Sequence, residues 1–573
     1  MFEFKPLGNA VATPNRWDWA LLPVILGTLL LVAYGAGQMA RPYHLGETIA
    51  ISLDPSFLPY YLLRTSLRML AALFCSLLFS FVFAAIAARY RTAEKILIPA
   101  LDVLQSIPVL GFLSISVTGF IALFPGNLLG VECAAIFAIF TSQAWNMAFS
   151  LYQSLRTVPS ELSEAARIFQ LSSWQRFWRL ELPFALPALL WNMMMSMSGG
   201  WFFVVASEAI SVSNQDIKLP GIGSYIAQAI AEQNLTAIGW AILAMLFGIM
   251  LYDQLLFRPL LAWANKFKFE ETQGDDGQQS WLLTWIRRTD LLQPLFDRLF
   301  AFMERGLLYF RKTHDGTSIQ AQPKQRTPWA ERSVDAVLTA LALIASWKII
   351  VFIHTEVGWG EFLRVFGLGC LTMLRVVVLI VLASLFWVPI GVKIGMNPRL
   401  AEKVQPIAQF LAAFPANLMF PLVVLLLVHF RLNPNIWLSP LMVFGTQWYI
   451  LFNVIAGAST IPTELRFAAA NLGLSRWLKW KRFLLPAVFP SFVTGAITAS
   501  GGSWNASIVA EYVNWGDTTL TAAGLGSYIA KMTAQGDFPR IALGIGVMCV
   551  FVMGFNRFVW RKLYELAEER MRF

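Results

Sequence analysis

Two acidic residues, Glu208 and Glu511, stand near the ends of long apolar segments, at equivalent positions of a repeated sequence. A carboxylate deep in a lipid bilayer costs roughly 2.5–3.5 kcal/mol or more, so each side chain should face protein or water. Two interpretations stay open: an outer gate or ion-paired latch, and a hydrated residue at the outer membrane boundary. Arg68 and Arg375 also occupy matched positions, in Thr-x-Leu-Arg. They could draw an anion inward, but such arginines more often snorkel to lipid headgroups.

No other set of residues suggests catalysis or metal binding. The four histidines are scattered, and no Ser/His/Asp or paired-carboxylate constellation stands out. No GxxxxGK[ST] loop for nucleotide phosphates occurs. The four cysteines fall in apolar segments without CxxC or Cys/His spacing. We therefore expect a non-catalytic protein without disulfides, metal or other cofactor.

Hydroxyl and amide side chains gather with glycines near the middle of the segments that carry the two glutamates. These segments begin near Pro183 and Pro486. At a rise of 1.5 Å per residue, the bilayer centre lies about 10–14 residues further on. Packing of helices through small residues is the alternative for each residue taken singly. As a group they predict the lining of a pathway for a polar solute. The predicted pathway residues are Ser196, Ser198, Trp201, Glu208, Thr498, Ser500, Trp504, Asn505 and Glu511.

The elements that position these residues occur twice. The stretch Thr-Val-Pro-Ser-Glu-Leu at 157–162 returns as Thr-Ile-Pro-Thr-Glu-Leu at 460–465, an offset of 464 − 161 = 303. The same offset relates Glu208 to Glu511. A long repeat in a chain of 573 residues that is 57% hydrophobic indicates two homologous membrane halves.

Apolar runs near 20 residues predict six membrane spans in each half. The predicted spans are 19–40, 66–88, 97–124, 131–155, 183–211 and 235–257, then 334–353, 370–394, 404–429, 436–458, 486–513 and 540–560. Six spans return the chain to its starting side, so the halves lie parallel. The fold class is therefore an all-α integral membrane protein with two tandem six-helix domains, about 12 transmembrane helices in total. The predicted domains are 1–258 and 333–573, joined by a cytoplasmic linker, 259–332.

The net charge of +10 is explained by basic residues that cluster in loops on one side of the predicted membrane. The positive-inside rule makes that side the cytoplasm and places both termini there, so no nucleic-acid partner is needed. In the linker, aromatic and leucine residues of 281–310 interleave with arginines. Two interpretations have equal weight: an amphipathic helix, or two, on the inner leaflet, and a helix packed on the bundle.

A short helix is predicted after the fourth span of each half. Ser160 and Thr463 stand where an N-cap hydroxyl would accept a free backbone N–H. Glu161 and Glu464 follow at the first helical position, which suits the positive end of the helix dipole. The i, i+3, i+4, i+7 spacing gives each helix one apolar face of small residues. The predicted faces are Leu162, Ala165, Ala166 and Phe169, and Leu465, Ala468, Ala469 and Leu472.

The stretch Ser163-Glu164-Ala165-Ala166, continuing to Leu182-Pro183, resembles the EAA loop of permease subunits of binding-protein-dependent ABC importers. In that family the loop forms a coupling helix that docks into a cleft of the ATP-binding subunit. The resemblance covers both halves, and the residues after the start of the fifth span look like the nitrate/sulfonate/taurine branch. Two departures occur. Gln170 stands where the family pattern has glycine, and Phe467 stands where it has glutamate, although Gly473 is kept.

The resemblance implies a pair of type-I permease domains fused in one chain in the cell inner membrane. It also implies two ATP-binding subunits, an extracytoplasmic solute-binding protein and a small anion as substrate, such as nitrate, a sulfonate, taurine or bicarbonate. The expected ATPase-coupling residues are Glu161, Leu162, Glu164, Ala165, Ala166, Glu464, Leu465, Ala468, Ala469 and Gly473. The main rival is a 6+6 ion-coupled secondary transporter, which would carry a coupling acid or base near midplane. A membrane enzyme is the weaker rival.

Overall fold

The computed structural model describes residues 16–43, 49–107, 109–212, 215–264, 281–287, 328–459, 461, 463–473, 475–515 and 518–570. Within these ranges the chain is helical apart from loops and two short antiparallel hairpins. The all-α membrane fold predicted from the sequence is confirmed.

The first half contains eleven described helices and one hairpin. The helices are α1 (Arg16–Met39), α2 (Leu58–Arg89), α3 (Arg91–Ser106), α4 (Val109–Leu123), α5 (Leu129–Arg156), α6 (Ser160–Ile168), α7 (Ser173–Arg176), α8 (Leu182–Glu208), α9 (Ile222–Ala231), α10 (Leu235–Tyr252) and α11 (Arg258–Ala264). The hairpin strands are β1 (Ala209–Val212) and β2 (Gln215–Lys218), with Ala209 opposite Lys218.

A short helix, α12 (Trp281–Arg287), precedes the second half. The helices of that half are α13 (Pro328–Phe352), α14 (Trp359–Gly395), α15 (Pro398–Ala413), α16 (Phe420–His429), α17 (Pro434–Trp437), α18 (Pro440–Phe444), α19 (Gln447–Ser459), α20 (Thr463–Asn471), α21 (Arg476–Lys479), α22 (Leu485–Ala510), α23 (Leu525–Gln535), α24 (Phe538–Phe555) and α25 (Arg561–Arg570). Its hairpin strands are β3 (Tyr512–Trp515) and β4 (Thr518–Thr521).

Among the described residues, seven helical segments are long and apolar enough to cross a membrane, or eight if the bent pair 434–444 and 447–459 is one span. The predicted number of twelve is therefore not confirmed. The predicted third span of each half is divided between helices: α3 ends at Ser106 before α4, and α15 ends at Ala413 before a 3-10 turn and α16. Broken spans give two short helices in place of one long one.

The repeat extends to local backbone irregularities. Five-residue π-helical segments precede α8 at Phe177–Glu181 and α22 at Trp480–Leu484, and another pair follows α10 and α24 at Asp253–Phe257 and Asn556–Trp560. Both pairs keep the offset of 303, since 480 − 177 and 556 − 253 each equal 303. Single-turn π segments often mark functional places in helices. Each half therefore enters its fifth span through the same π-helical segment.

Each half packs its second, fourth and fifth spans together. In the first half α5 lies against both α2 and α8, and in the second half α19 lies against both α14 and α22. The halves meet where α8 contacts α15 and where α22 and α24 contact α4. This arrangement brings the C-terminal end of each fifth span next to the second span of its own half.

Most of the predicted amphipathic stretch, 288–310, lies outside the described residues. Its beginning, α12, contacts α11, and Trp281 Nε1 donates a hydrogen bond to Gln254 Oε1 at 3.3 Å. This part of the linker therefore packs on the helical bundle.

Candidate functional site

The Glu208 carboxylate is completely buried at the C-terminal end of α8. It accepts hydrogen bonds from Thr65 Oγ1 (2.7 Å), Arg68 Nη1 (2.6 Å) and the Gly223 backbone N–H (2.6 Å). Thr65 Oγ1 in turn accepts the Ile222 N–H at 3.0 Å. This is the geometry of a buried, ion-paired carboxylate, which joins α2, α8 and α9, and not that of a hydrated one.

Arg68 is also completely buried, so the expectation that it snorkels to headgroups is wrong. It lies between two carboxylates: Nη1 bonds Glu208, while Nε and Nη2 bond the two oxygens of Glu132 at 2.5 and 2.7 Å. Arg64 Nη2 bonds Glu132 Oε1 at 2.5 Å, and Arg64 is 1% exposed. Two guanidiniums and two carboxylates thus balance in one buried network, which avoids the cost of an unpaired buried charge.

Sequence reasoning missed Arg64 and Glu132. Glu132 sits in apolar sequence between Val131 and Cys133, and an ionisable residue in such a segment was a usable signal of a buried partner. Neither residue has a charged counterpart in the second half, so the repeat did not point to them.

The second half builds a smaller version of this network. Glu511 is 1% exposed and accepts hydrogen bonds from Thr372 Oγ1 (2.9 Å), Arg375 Nη1 (2.9 Å) and the Gly526 N–H (2.8 Å). Thr372 Oγ1 accepts the Leu525 N–H at 2.9 Å. We call the two clusters, centred on Glu208 with Arg68 and on Glu511 with Arg375, the first and second carboxylate latch.

Glycines allow the backbone to approach both latches. A Cβ atom on Gly221 would overlap the Glu208 carboxylate, and one on Gly524 would overlap that of Glu511. Gly221 and Gly524 have extended backbones, which any residue can adopt. Glycine is needed at these positions because the backbone lies too close to the carboxylate to leave room for a Cβ atom. The repeated Gly-x-Gly thus serves to bring a backbone N–H against a buried acid.

The predicted coupling residues lie on α6 and α20. Glu161, Glu164, Glu464 and Ala468 are exposed, Leu162, Ala165 and Leu465 are half-buried, and Ala166 and Ala469 are buried against the protein. Large apolar side chains next to them are exposed: Ile168, Phe169, Phe467 and Leu472. The predicted apolar face is therefore divided, because Ala166 and Ala469 pack inward while Ala468, Phe169 and Leu472 are exposed.

The starts of these helices differ from the predicted caps. Both helices begin one residue early, at Ser160 and Thr463, which makes these residues the first of the helix. Pro159 is the N-cap of α6 and has no side chain to cap with.

Gln170 adopts the left-handed conformation that Gly473 adopts in the repeat, with φ of 51° and 58°. The Leu171 N–H bonds Ala166 O and the Gln170 N–H bonds Arg167 O, both at 3.0 Å, which closes the end of α6 as a Schellman motif. Glycine adopts this conformation without steric cost, whereas other L-residues lose roughly 1–2 kcal/mol. The departure at Gln170 therefore keeps the geometry and adds strain.

Gln170→Gly is expected to make the end of α6 more stable by about 1 kcal/mol, because the left-handed strain is removed. Gly473→Gln should weaken the end of α20 by a similar amount. Hydrogen exchange of the amides in 165–172 and 468–475 would measure both effects. Unchanged protection in both variants would show that the strain is absorbed elsewhere.

The predicted pathway residues divide into two groups. Ser198 Oγ donates to the carbonyl of Ala412, and Asn505 Oδ1 accepts the Val109 N–H at 2.9 Å, so both bridge the two halves. By contrast, Trp201 packs on Tyr252, with ring centroids 5.4 Å apart, inside its own half.

Two other members of the set contact residues of their own half. Trp504 stacks on Phe551, and Thr498 Oγ1 bonds the Thr494 carbonyl of its own helix. Ser196 and Ser500 are buried, and Ser196 Oγ has no hydrogen-bond partner among the described residues. Ser198 and Asn505 are thus the members of the predicted pathway that the structure places at the boundary of the halves.

These features define an integral membrane protein of two homologous helical halves with matched buried latches and matched surface helices. The family model described as "Binding-protein-dependent transport system inner membrane component" matches residues 80–256 and 387–573. The chain belongs to this family.

Curated relatives are membrane permeases. The chain is 28% identical over 178 residues to the bicarbonate transport system permease protein of Synechococcus elongatus, covering 31% of this chain and 61% of that protein. It is 27% identical over 200 residues to the nitrate import permease protein of Leptolyngbya laminosa, covering 35% and 68%. It is 25% identical over 144 residues to the taurine transport system permease protein of Escherichia coli, covering 25% and 50%.

Proposed function

We propose that this chain forms the membrane pathway of an ABC importer for a small anion, of the nitrate, bicarbonate, sulfonate or taurine class. Two separate ATP-binding subunits supply the energy, and an extracytoplasmic binding protein delivers the substrate. The observation that carries the proposal is the pair of surface helices α6 and α20, at the same offset, each with an exposed glutamate and exposed apolar residues.

Surface helices that only cover the bundle would bury their large apolar side chains. Here Ile168 is 79% exposed and Phe467 is 68% exposed. Exposed apolar side chains beside a carboxylate suit a docking site on another protein. In the first half α6 is also connected to the fifth span, because Arg176 Nη2 donates a hydrogen bond to Ser163 Oγ at 3.4 Å, next to the π segment that leads into α8. A movement of α6 would therefore be passed to the helix that carries Glu208.

The pathway runs between the two halves, where Ser198 and Asn505 cross the boundary. Closure of the ATP-binding subunits would move α6 and α20 and rotate the halves about this boundary, opening the cavity from one side and then the other. The carboxylate latches act at the outer end of the fifth spans and hold the outer gate. With this assignment the termini lie in the cytoplasm, and the domains are 1–258 and 333–573.

The main alternative, an ion-coupled secondary transporter, needs a titratable group exposed to the pathway near midplane. The buried acids of the described residues, Glu132, Glu208 and Glu511, are each paired with arginine. These acids are engaged in structure and offer no exposed coupling group, which favours the importer.

Uptake of labelled nitrate, taurine and bicarbonate by right-side-out native vesicles, loaded with ATP and supplied with the extracytoplasmic protein fraction, would separate the two functions. Uptake that needs ATP and is blocked by vanadate, with a protonophore having no effect, supports the importer. Uptake abolished by the protonophore and indifferent to ATP supports the secondary transporter. Vesicles from a strain that lacks the chain are the control.

A further inference from the structure

The two latches differ in what binds the Nε–Nη2 edge of the arginine's guanidinium group. In the first latch, Nε and Nη2 of Arg68 make a two-pronged contact with the two oxygens of Glu132, at 2.5 and 2.7 Å. This is the paired, parallel geometry that guanidinium makes with carboxylate and phosphate. The remaining nitrogen, Nη1, bonds Glu208. Arg68 therefore has an acceptor on both of its edges.

Arg375 has an acceptor on only one edge. Its Nη1 bonds Glu511 Oε1 at 2.9 Å, and among the described residues no acceptor lies within hydrogen-bond distance of its Nε or Nη2. The side chain is 15% exposed, against 0% for Arg68. The edge that Glu132 fills in the first latch is thus open and accessible in the second.

The second half lacks the residues that would fill this edge. Arg375 stands 375 − 68 = 307 residues after Arg68, whereas Glu464 stands 303 residues after Glu161. The segment from the arginine to the glutamate is therefore 307 − 303 = 4 residues shorter in the second half than in the first. Asn435 stands 303 residues after Glu132, and its Oδ1 accepts the Ala523 N–H at 2.7 Å. Leu371 stands 307 residues after Arg64.

We propose that the Nε–Nη2 edge of Arg375 is a binding site for a small oxyanion, which occupies the place that the Glu132 carboxylate takes in the first half. Nitrate, bicarbonate, a sulfonate and a phosphate monoanion all present two oxygens at the spacing of a carboxylate, so each fits the guanidinium fork. This proposal depends on the proposed function only if the bound oxyanion is the transported solute.

The site should bind weakly and exchange quickly. Glu132 is held by two guanidiniums and is 0% exposed, whereas an anion on Arg375 would meet a single guanidinium on a partly exposed side chain. Weak, accessible binding suits an anion in transit. The same chemistry also suits the phosphate of a lipid headgroup, since Leu371 and Leu374 on the same stretch of α14 are exposed.

Chemical modification of arginine tests the site in the wild-type chain. Phenylglyoxal reacts with accessible guanidinium groups, and peptide mass spectrometry gives the rate at each arginine. In phosphate-free, lipid-depleted detergent, Arg375 is expected to react, and sodium nitrate at ten times its Kd is expected to slow the reaction about tenfold relative to sodium gluconate of equal ionic strength. Arg64 and Arg68 should stay unreactive. Arg561, 64% exposed and paired with Glu565, should react at the same rate with and without nitrate.

Nanodiscs distinguish the source of the oxyanion. Protection by nitrate in discs of digalactosyldiacylglycerol, which contains no phosphate, assigns the site to a free anion. Protection by phosphatidylglycerol discs without nitrate, with no further effect of nitrate, assigns it to a headgroup phosphate. An Arg375 that never reacts, or reacts equally under all conditions, overturns the proposal. These outcomes do not depend on whether the chain transports any anion.

Discussion

Glu132→Gln is expected to destabilise the chain by about 3–5 kcal/mol, the cost of removing one partner from a buried ion pair. Glu132 is the shared acceptor of Arg64 and Arg68, and all three side chains are at most 1% exposed. The variant leaves two buried guanidiniums with Glu208 as their only carboxylate. Glutamine has nearly the same volume as glutamate, so packing is conserved and the effect reports charge. The midpoint of unfolding by SDS titration in mixed micelles would measure it.

A second substitution should rescue this variant. Arg64→Leu in the Glu132→Gln background restores one arginine to one glutamate, which is the composition of the second latch, where Leu371 occupies the matching position. We expect the double variant to recover more than half of the lost stability, and Arg64→Leu alone to be destabilised because Glu132 then lacks one partner. A double variant that is no more stable than Glu132→Gln would contradict the charge-balance explanation.

A surface pair provides the matched control. Arg176 and Glu181 form an ion pair of 2.7 Å whose side chains are 34% and 15% exposed. Both side chains are half-buried and keep some contact with solvent, so Glu181→Gln should shift the unfolding midpoint far less than loss of the fully buried Glu132. A shift as large as that of Glu132→Gln would mean that loss of any ion pair in this region destabilises the chain.

The two latches therefore fix their halves to different degrees. The first is a closed network in which every charge meets an opposite charge and every edge of Arg68 is used. The second has one pair, one open guanidinium edge and a partly exposed arginine. If the outer gate opens by release of a latch, the second half has fewer contacts to break, and its arginine is already partly exposed.

The sequence predicts those residues of the candidate site that occur in both halves, and it does not predict those that occur in one half. Glu208 and Glu511 were identified because the same acid in the same apolar context occurs twice. Arg64 and Glu132 occur once and become meaningful only when α2 and α5 pack together, which places residues 68 positions apart within 2.5 Å. A repeat directs attention to what the halves share and away from what distinguishes them.

Local geometry explains the other differences. Gln170 departs from the glycine of the family pattern, yet it adopts the same left-handed backbone conformation as Gly473. The residue type alone does not predict this conformation. Trp201 lies near the bilayer middle as counted, but counting along a helix gives depth and not direction, and its ring packs on Tyr252. The snorkelling expectation for Arg68 followed the common behaviour of arginines near helix ends; Glu132 and Glu208 hold the side chain inside instead.

Glu161→Lys combined with Glu464→Lys is expected to abolish copurification of an ATP-binding subunit with the chain, and with it ATP-driven uptake. Each substitution replaces an exposed carboxylate at the first turn of α6 or α20 with a cation. The new charges oppose both the helix dipole and any basic groups in a docking cleft, and a like-charge contact in an interface costs several kcal/mol. We expect at least about a tenfold loss of bound subunit, since 1.4 kcal/mol already gives tenfold. Affinity capture from native membranes with mass spectrometry would measure it.

Glu565→Lys is the matched control, because it makes the same change on the exposed face of α25, on the side of the membrane to which we assign α6 and α20. It should leave the bound subunit unchanged, and size-exclusion profiles should show that all variants stay monodisperse. Equal capture by wild type and the double lysine variant would place docking elsewhere on the chain. If no ATP-binding subunit copurifies with well-folded wild type, α6 and α20 are not docking sites for such a subunit, and the secondary transporter becomes the better hypothesis.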